Sequence, residues 1–281
     1  MNAADTDQLF PNTLSTPGIE INPQLIQVRQ VKASVIQTLQ PQMSKAIWRP
    51  APGRKLGFLI EHEQHLLGIA FLSSPVINMK ERDNKLNLPK DPSDKGKELR
   101  HYADLSVCVP AQPFGWHWNG GKLVALIATT LGDAWQERYS DELKGIITTS
   151  LWGKGSQYNR IYQFLGYTQG FGHEHISDER YKQMLTWLET NGFDIPSSRF
   201  GAGSNPRMRR IQAYKKASGD KTITLKHGNK RGIYYHPATP SNQRQQIIQF
   251  WYERWGINRY ERTRNQTPPY VDGLTTKDPA Q

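Results

Sequence analysis

The chain has 281 residues, 36% of them apolar, enough to bury a core as one domain or as one domain with an appendage. Its 36 Lys and Arg against 25 Asp and Glu give a formal net charge of +11, which favours a polyanionic partner. A single cysteine, Cys108, excludes an internal disulfide framework, and the absence of a long apolar run or a signal-like leader points to a cytoplasmic protein with no membrane partner.

Residues 1–24 are polar and broken by Pro11, Pro17 and Pro23, and read as a flexible tail. A short helix fits 33–46, ahead of Pro50. The run LGFLIEHEQHLLGIAFLSS (56–74) predicts a hairpin, two β-rich stretches joined by Glu61 to His65. Residues 78–100 are densely charged and read as a surface excursion, and YADLSVCV (102–109) as a buried strand. After the loop AQPFGWHWNGG, the apolar spacing of 122–139 predicts one amphipathic helix, followed by a strand over 143–150. Ile161, Phe164 and Leu165 recur at helical spacing, so a short crossover helix is expected, stopped by Gly166, with a strand from Tyr167. A helix over 178–191 has Ser177 as N-cap and Gly192 as its stop. Further helices are expected at 206–217 and 240–255, around a strand at 231–236, before a Thr/Pro/Gly-rich tail. Alternating strands and helices imply an α/β domain with a mixed sheet, its ligand crevice at the strand ends near Val109 to Gly121.

The charge is placed unevenly. Between Arg199 and Tyr252 eleven basic residues face one acid, Asp220, so this stretch holds ten of the eleven net charges. Such asymmetry is the footprint of a nucleic-acid partner, DNA above all, and Arg207, Arg209, Arg210, Lys215, Lys216, Lys226, Lys230 and Arg231 are the candidate phosphate ligands. Trp116 and Trp118 are candidate base-stacking surfaces if exposed and core if buried. Asn119-Gly120-Gly121-Lys122, opening a helix, is a candidate phosphate cradle, because backbone N–H groups converge there and glycine lets a ligand approach. His173 and His175, two apart, would share one face of a strand and are weak metal candidates, with His117, His227 or His236 to complete a set. Surface or capping histidines are the simpler reading, and no metal is expected. Cys108 reads as a small core residue. No Walker loop, GxSxG elbow or carboxylate triad is present, which disfavours nucleotide hydrolysis and serine chemistry.

Taken together, NGGKLVALIATTLGDAWQERY (119–139) and the segment LKGIITTSLWGKGSQYNRIYQFLGYTQGFG that follows resemble the DruA-like family of Druantia anti-phage systems. The likeness falls on Leu131, Asp133, Trp135, Arg138, Tyr139, Gly155, Tyr158, Leu165, Gly166, Gly170 and Gly172, continues in LKHGNKRGIYYHP (225–237), and spans about residues 25–237. Where the family often continues its Gly-rich turn with arginine, this chain reads GFGHEH. A more distant resemblance is to the N-acetyltransferases of the GNAT fold, carried by the order of elements and by Tyr162-Gln163-Phe164-Leu165-Gly166-Tyr167. That resemblance implies acetyl-CoA or another acyl-CoA as cofactor, Gln112 and Gly115 beside Asn119 to Lys122 in its binding loop, and Tyr162 as general acid toward a leaving thiolate. An alternative for Tyr162 is simple packing under the sheet.

The expected layout is therefore a flexible tail (1–24), a GNAT-like α/β core (25–198), a basic helical C-terminal extension that binds nucleic acid (199–260) and a second tail (261–281). Three functions fit it: an acyl-CoA-dependent transferase modifying DNA bases, a non-catalytic DNA-binding component working beside other defence-system proteins, and, least favoured, a metal-dependent nuclease.

Overall fold

The computed structural model describes residues 19–268, apart from 45, 47, 49–51, 151–152, 171, 174, 200–204 and 227, and the backbone of two short strands, Tyr270–Val271 and Leu274–Thr275. Residues 1–18 and 276–281, read as parts of tails, and His227 lie outside the described residues.

The first strands form an antiparallel meander. β1 (Ile26–Val31) pairs with β2 (Lys55–His62), and β2 with β3 (His65–Ser73) through a two-residue turn at Glu63-Gln64. β3 pairs antiparallel with β4 (Tyr102–Pro110), and β4 runs parallel to β5 (Gly145–Ser150). β7 (Gly232–Pro237) then inserts antiparallel between β5 and β6 (Gln163–Tyr167). The seven-stranded mixed sheet has the order β1-β2-β3-β4-β5-β7-β6.

Ser106 is an extra residue on β4: Leu72 faces Leu105, while Phe71 faces Val107. This bulge shifts the side-chain alternation. Ala103, Leu105 and Cys108 consequently join one face of the core, and Val107 and Val109 the other. The first face packs under α5 (Gly120–Ala128), whose Leu123, Val124 and Ile127 have no solvent exposure. Each such side chain contributes about 1.5–3 kcal/mol relative to an exposed one. α1 (Ala33–Met43) covers the second face through Ile36, Leu39 and Met43. Farther along that face, the charged excursion folds as α2 (Lys80–Lys85) and α3 (Pro92–Leu99) over Tyr102, Ile147 and Ile233. Its Arg82 is fully buried because Asp83 and the Val76 and Ile77 carbonyls satisfy the guanidinium.

Four sequence expectations change. The helix predicted over 122–139 is two, α5 and α6 (Gly132–Tyr139), because Thr129 and Thr130 turn their hydroxyls onto the Leu126 and Ile127 carbonyls and end the first. The crossover helix is absent: turns lead straight into β6, where cross-strand pairing of Phe164 with Tyr234 overrides the helical spacing. From Ile19 on, the N-terminal stretch is packed, with Ile21 buried and the Ile19 carbonyl accepting from Trp118 Nε1. The helix expected at 240–255 begins at Arg244 (α9, Arg244–Trp251), passes through a π turn (Tyr252–Gly256) and continues as α10 (Ile257–Thr263).

The basic stretch also divides. Residues 168–231 leave the sheet after β6 and return to it as β7, carrying α7 (Asp178–Thr190) and α8 (Pro206–Ser218). These helices share a separate small core of Ile176, Met184, Leu188, Met208, Ile211, Tyr214, Ile223 and Leu225. The basic helix α8 thus belongs, with α7, to a module inserted into the sheet, and the expected boundary at 199 falls inside it.

Candidate functional site

Two regions gather the residues singled out from the sequence. The first is a wedge between β4 and β5. Their ladder covers only Tyr102, Ala103 and Asp104 against Gly145, Ile146 and Ile147, and beyond it the strands are no longer paired. The gap is filled from within the chain. Thr148 Oγ1 donates to the Leu105 carbonyl at 2.8 Å, and Gln157 Nε2 to the Cys108 carbonyl at 2.9 Å. Tyr158 lies buried against both, its hydroxyl 3.3 Å from Thr148 Oγ1. Burial pushes the Cys108 thiol up to about 12, so it stays protonated and is no activated nucleophile.

The loop 111–121 meets this wedge. Gln112 Oε1 accepts from Trp116 N at 3.1 Å, which caps α4 (Phe114–His117), and Gly115 packs on Gln112 and Pro110. A Cβ on Gly121 would lie 2.0 Å from Gln157 Oε1, and one on Gly120 2.5 Å from the Phe114 ring. Close packing within the chain is therefore sufficient reason for both glycines. Lys122 Nζ donates to the Gln157 and Asn159 carbonyls at 3.1 and 2.7 Å, and burial, helped by Arg160, lowers its pKa to about 8. Asn119 takes a left-handed conformation at the start of α5, and its carbonyl accepts from Trp251 Nε1.

Trp118 is buried, its ring stacked at 4.3 Å on Tyr260 and 5.9 Å from Tyr252. Trp116 is half-buried, with the Arg259 guanidinium 5.0 Å over its ring. Both rings thus belong to a seam that fastens α9 and α10 over the loop. Tyr162 lies on the same face as α5 and is buried, and its hydroxyl donates to the Ala125 carbonyl at 2.9 Å. That carbonyl is near the helix end, where Thr129 N bonds Leu126 O instead. Burial raises the Tyr162 pKa well above the ordinary phenol value, with Cys108 and Tyr158 adding to it. On the opposite face Asp104 closes the ladder; burial raises its carboxyl to about 7 against the pull of Arg82 and Arg231.

The second region is the inserted module. Arg207 Nη1 pairs with Asp178 at 2.5 Å and Nη2 donates to the Ile176 carbonyl at 2.7 Å, so it braces the start of α7. Arg209 donates to the Ser197 and Arg199 carbonyls, and Arg210 to the Pro196 carbonyl and the Tyr181 hydroxyl. Lys215 is half-buried, and Lys216, Lys226, Lys230 and Arg231 are exposed, with no ion pair to any of them among the described residues. Asp220, the one acid between Arg199 and Arg231, is engaged by Arg180 at 3.2 Å. His173 and His175 sit in a turn, closed by Ile176 N on the His173 carbonyl, so strand-like sharing of a face does not apply.

A different group, His62, Glu63 and His65 at the β2–β3 turn, brings three potential ligand atoms within 4.8 Å. His62 Nε2 already accepts from Asn22 N at 3.1 Å, which leaves the ring proton of neutral His62 on Nδ1. That Nδ1 is buried with no hydrogen-bond partner among the described residues. Gln157, Arg259 and Asp104 are contributions that sequence reasoning missed, since nothing local marks a glutamine, an arginine or an aspartate that acts only across the fold.

A family model described as Druantia protein DruA matches residues 14–248, a span that includes both regions. The chain belongs to this family. It is also similar to the Druantia protein DruA of Escherichia coli (strain UMEA 4076-1), 29% identical over 206 residues, which are 65% of this chain and 50% of that protein. The chain spans about half the length of that curated relative. Among the described residues of this family member, no helix is long and apolar enough to cross a membrane.

Proposed function

We propose that this DruA-family chain is a nucleic-acid-binding component of an anti-phage defence system, holding its partner through the inserted module. One observation carries the reading: from Lys215 to Arg231 six cations accompany one acid, and that acid is already taken by Arg180. Uncompensated cations on a small scaffold attract phosphate backbones, and their cost in self-repulsion is relieved when phosphates arrive. Reversing Lys215, Lys216, Lys226 and Lys230 to glutamate is the direct test. Arg207, Arg209 and Arg210 stay, because their bonds hold the module together. Affinity for a DNA oligonucleotide should fall at least about 100-fold near 0.1 M salt, and the dependence on salt should flatten. A folded variant that binds as wild type across several salt concentrations would overturn the reading. Any association with further defence-system proteins rests on family membership alone.

A second reading, an acyl-CoA-dependent transferase acting on a nucleobase, is favoured by one specific feature. β4 and β5 run parallel and are no longer paired beyond Asp104, beside the 111–121 loop, as an acyl-CoA crevice would require, although the helix expected to carry Tyr162 is a turn and a strand. Gln157 and Tyr158 occupy the gap a thioester would need, so this reading requires the 154–162 turn to withdraw.

A further inference from the structure

The structure places an exposed aromatic platform on the same module, and we infer that it stacks unpaired bases, making single-stranded nucleic acid the substrate class; the inference rests on the nucleic-acid reading above. α7 ends at Gly192, whose φ of +73° reverses the chain, and Phe193 N returns to the Leu188 carbonyl at 2.9 Å. In this type of helix stop the residue after the glycine usually hides against the helix. Here Phe193 stacks parallel on Trp187, ring centroids 5.6 Å apart at 11°, yet stays 44% exposed, with Ile195 beside it at 37%. Trp187 is itself fixed edge-on against Tyr214 of α8, at 5.2 Å and 81°. A ring locked from behind loses little freedom when a base covers its outer face, which is the property a stacking platform needs.

Charge decides what kind of flat apolar partner fits. Arg210 is held at the end of the same segment by its 2.8 Å bond to the Pro196 carbonyl, and Lys215 follows Tyr214 directly on α8. Carbonyl and hydroxyl acceptors position the Arg210 guanidinium without cancelling its charge. Asp194, between Phe193 and Ile195, repels phosphate, which favours a backbone path toward the cations of α8. A base over Phe193 with its phosphate toward Arg210 and Lys215 satisfies all three groups. In a duplex the base faces are already stacked on each other, so the platform discriminates between strand states.

The test compares a labelled single-stranded DNA oligonucleotide with the matching duplex, by fluorescence anisotropy on the full chain. Phe193→Ala should weaken single-strand binding by about tenfold and leave duplex binding and both salt dependences within twofold. Phe193→Tyr, which keeps the ring, should retain single-strand binding and guards against a folding defect. Equal losses on both ligands, or on neither, would overturn the platform while the nucleic-acid reading stands. No binding of either ligand by the wild-type chain would overturn both.

Discussion

The wedge and the inserted module use the same kinds of residue in opposite ways. At the wedge, tryptophans, glycines, a lysine and a tyrosine are turned inward, and each has a partner from the chain itself. Trp118 has Tyr260 and the Ile19 carbonyl, Lys122 has two carbonyls, and Tyr162 has Ala125. In the module, lysines face outward and Phe193 leaves much of its ring in water. Aromatic, glycine and basic residues close together in sequence are thus equally consistent with a ligand site and with a seam between helices. Burial and partners separate the two.

The largest effect that would sharpen this contrast is at Trp118. Trp118→Ala removes a buried ring from between Tyr252 and Tyr260 and the bond to Ile19 O, and should cost about 3–5 kcal/mol in chemical denaturation. Nucleic-acid affinity of the folded variant should not change. A weakened affinity at unchanged stability would instead make Trp118 a contact surface and erase the distinction between the regions.

Much of the fold is legible in the sequence where local signals agree with tertiary packing. The hairpin over β2 and β3, the cap at Ser177, whose Oγ accepts from Arg180 N, and the stop at Gly192 are all read correctly. Reading fails where distant pairing decides. β6 carries helical spacing, but its partner β7 lies more than sixty residues away, and the pairing of Gln163 with Tyr235 is invisible locally. Residues 26–31 carry no strand expectation, and pairing with β2 is what makes them β1. The site divides likewise: the surplus of cations follows from composition alone, whereas the inward bonds of Arg207, Arg209 and Arg210 and the occupation of the wedge by Gln157 depend on the fold.

A pH experiment links the two regions through Asp104, whose carboxyl is drawn toward the charged form by Arg82 and by Arg231 at the end of the module. Its folded pKa of about 7 lies above the ordinary value for an unfolded chain. Between about pH 4 and pH 7 the folded state therefore holds a proton that the unfolded state has lost, and stability falls as pH rises through this window. Asp104→Asn should remove that slope and leave the variant about 2 kcal/mol more stable than wild type at pH 8, allowing for partial solvent screening. Denaturation midpoints at pH 5, 6.5 and 8 measure it. A variant less stable than wild type at pH 8 would mean that the charged carboxylate is held by Arg82 and Arg231, and the wedge would then be electrostatically fastened to the module.

The smallest effect is at Tyr162, and it separates packing from chemistry. Tyr162→Phe keeps the ring but strands the Ala125 carbonyl, which has lost its usual helical donor at the end of α5. The expected cost is about 1 kcal/mol, read as a shift in denaturation midpoint. If the hydroxyl served as general acid in acyl transfer, the bond to Ala125 would have to break during turnover and would contribute little to the resting fold. An unchanged midpoint, together with loss of any acetyl-CoA-dependent transfer to DNA, would show a hydroxyl reserved for chemistry. The wedge would then be a closed site that opens when the 154–162 turn moves, and its inward partners would be the means by which it stays shut.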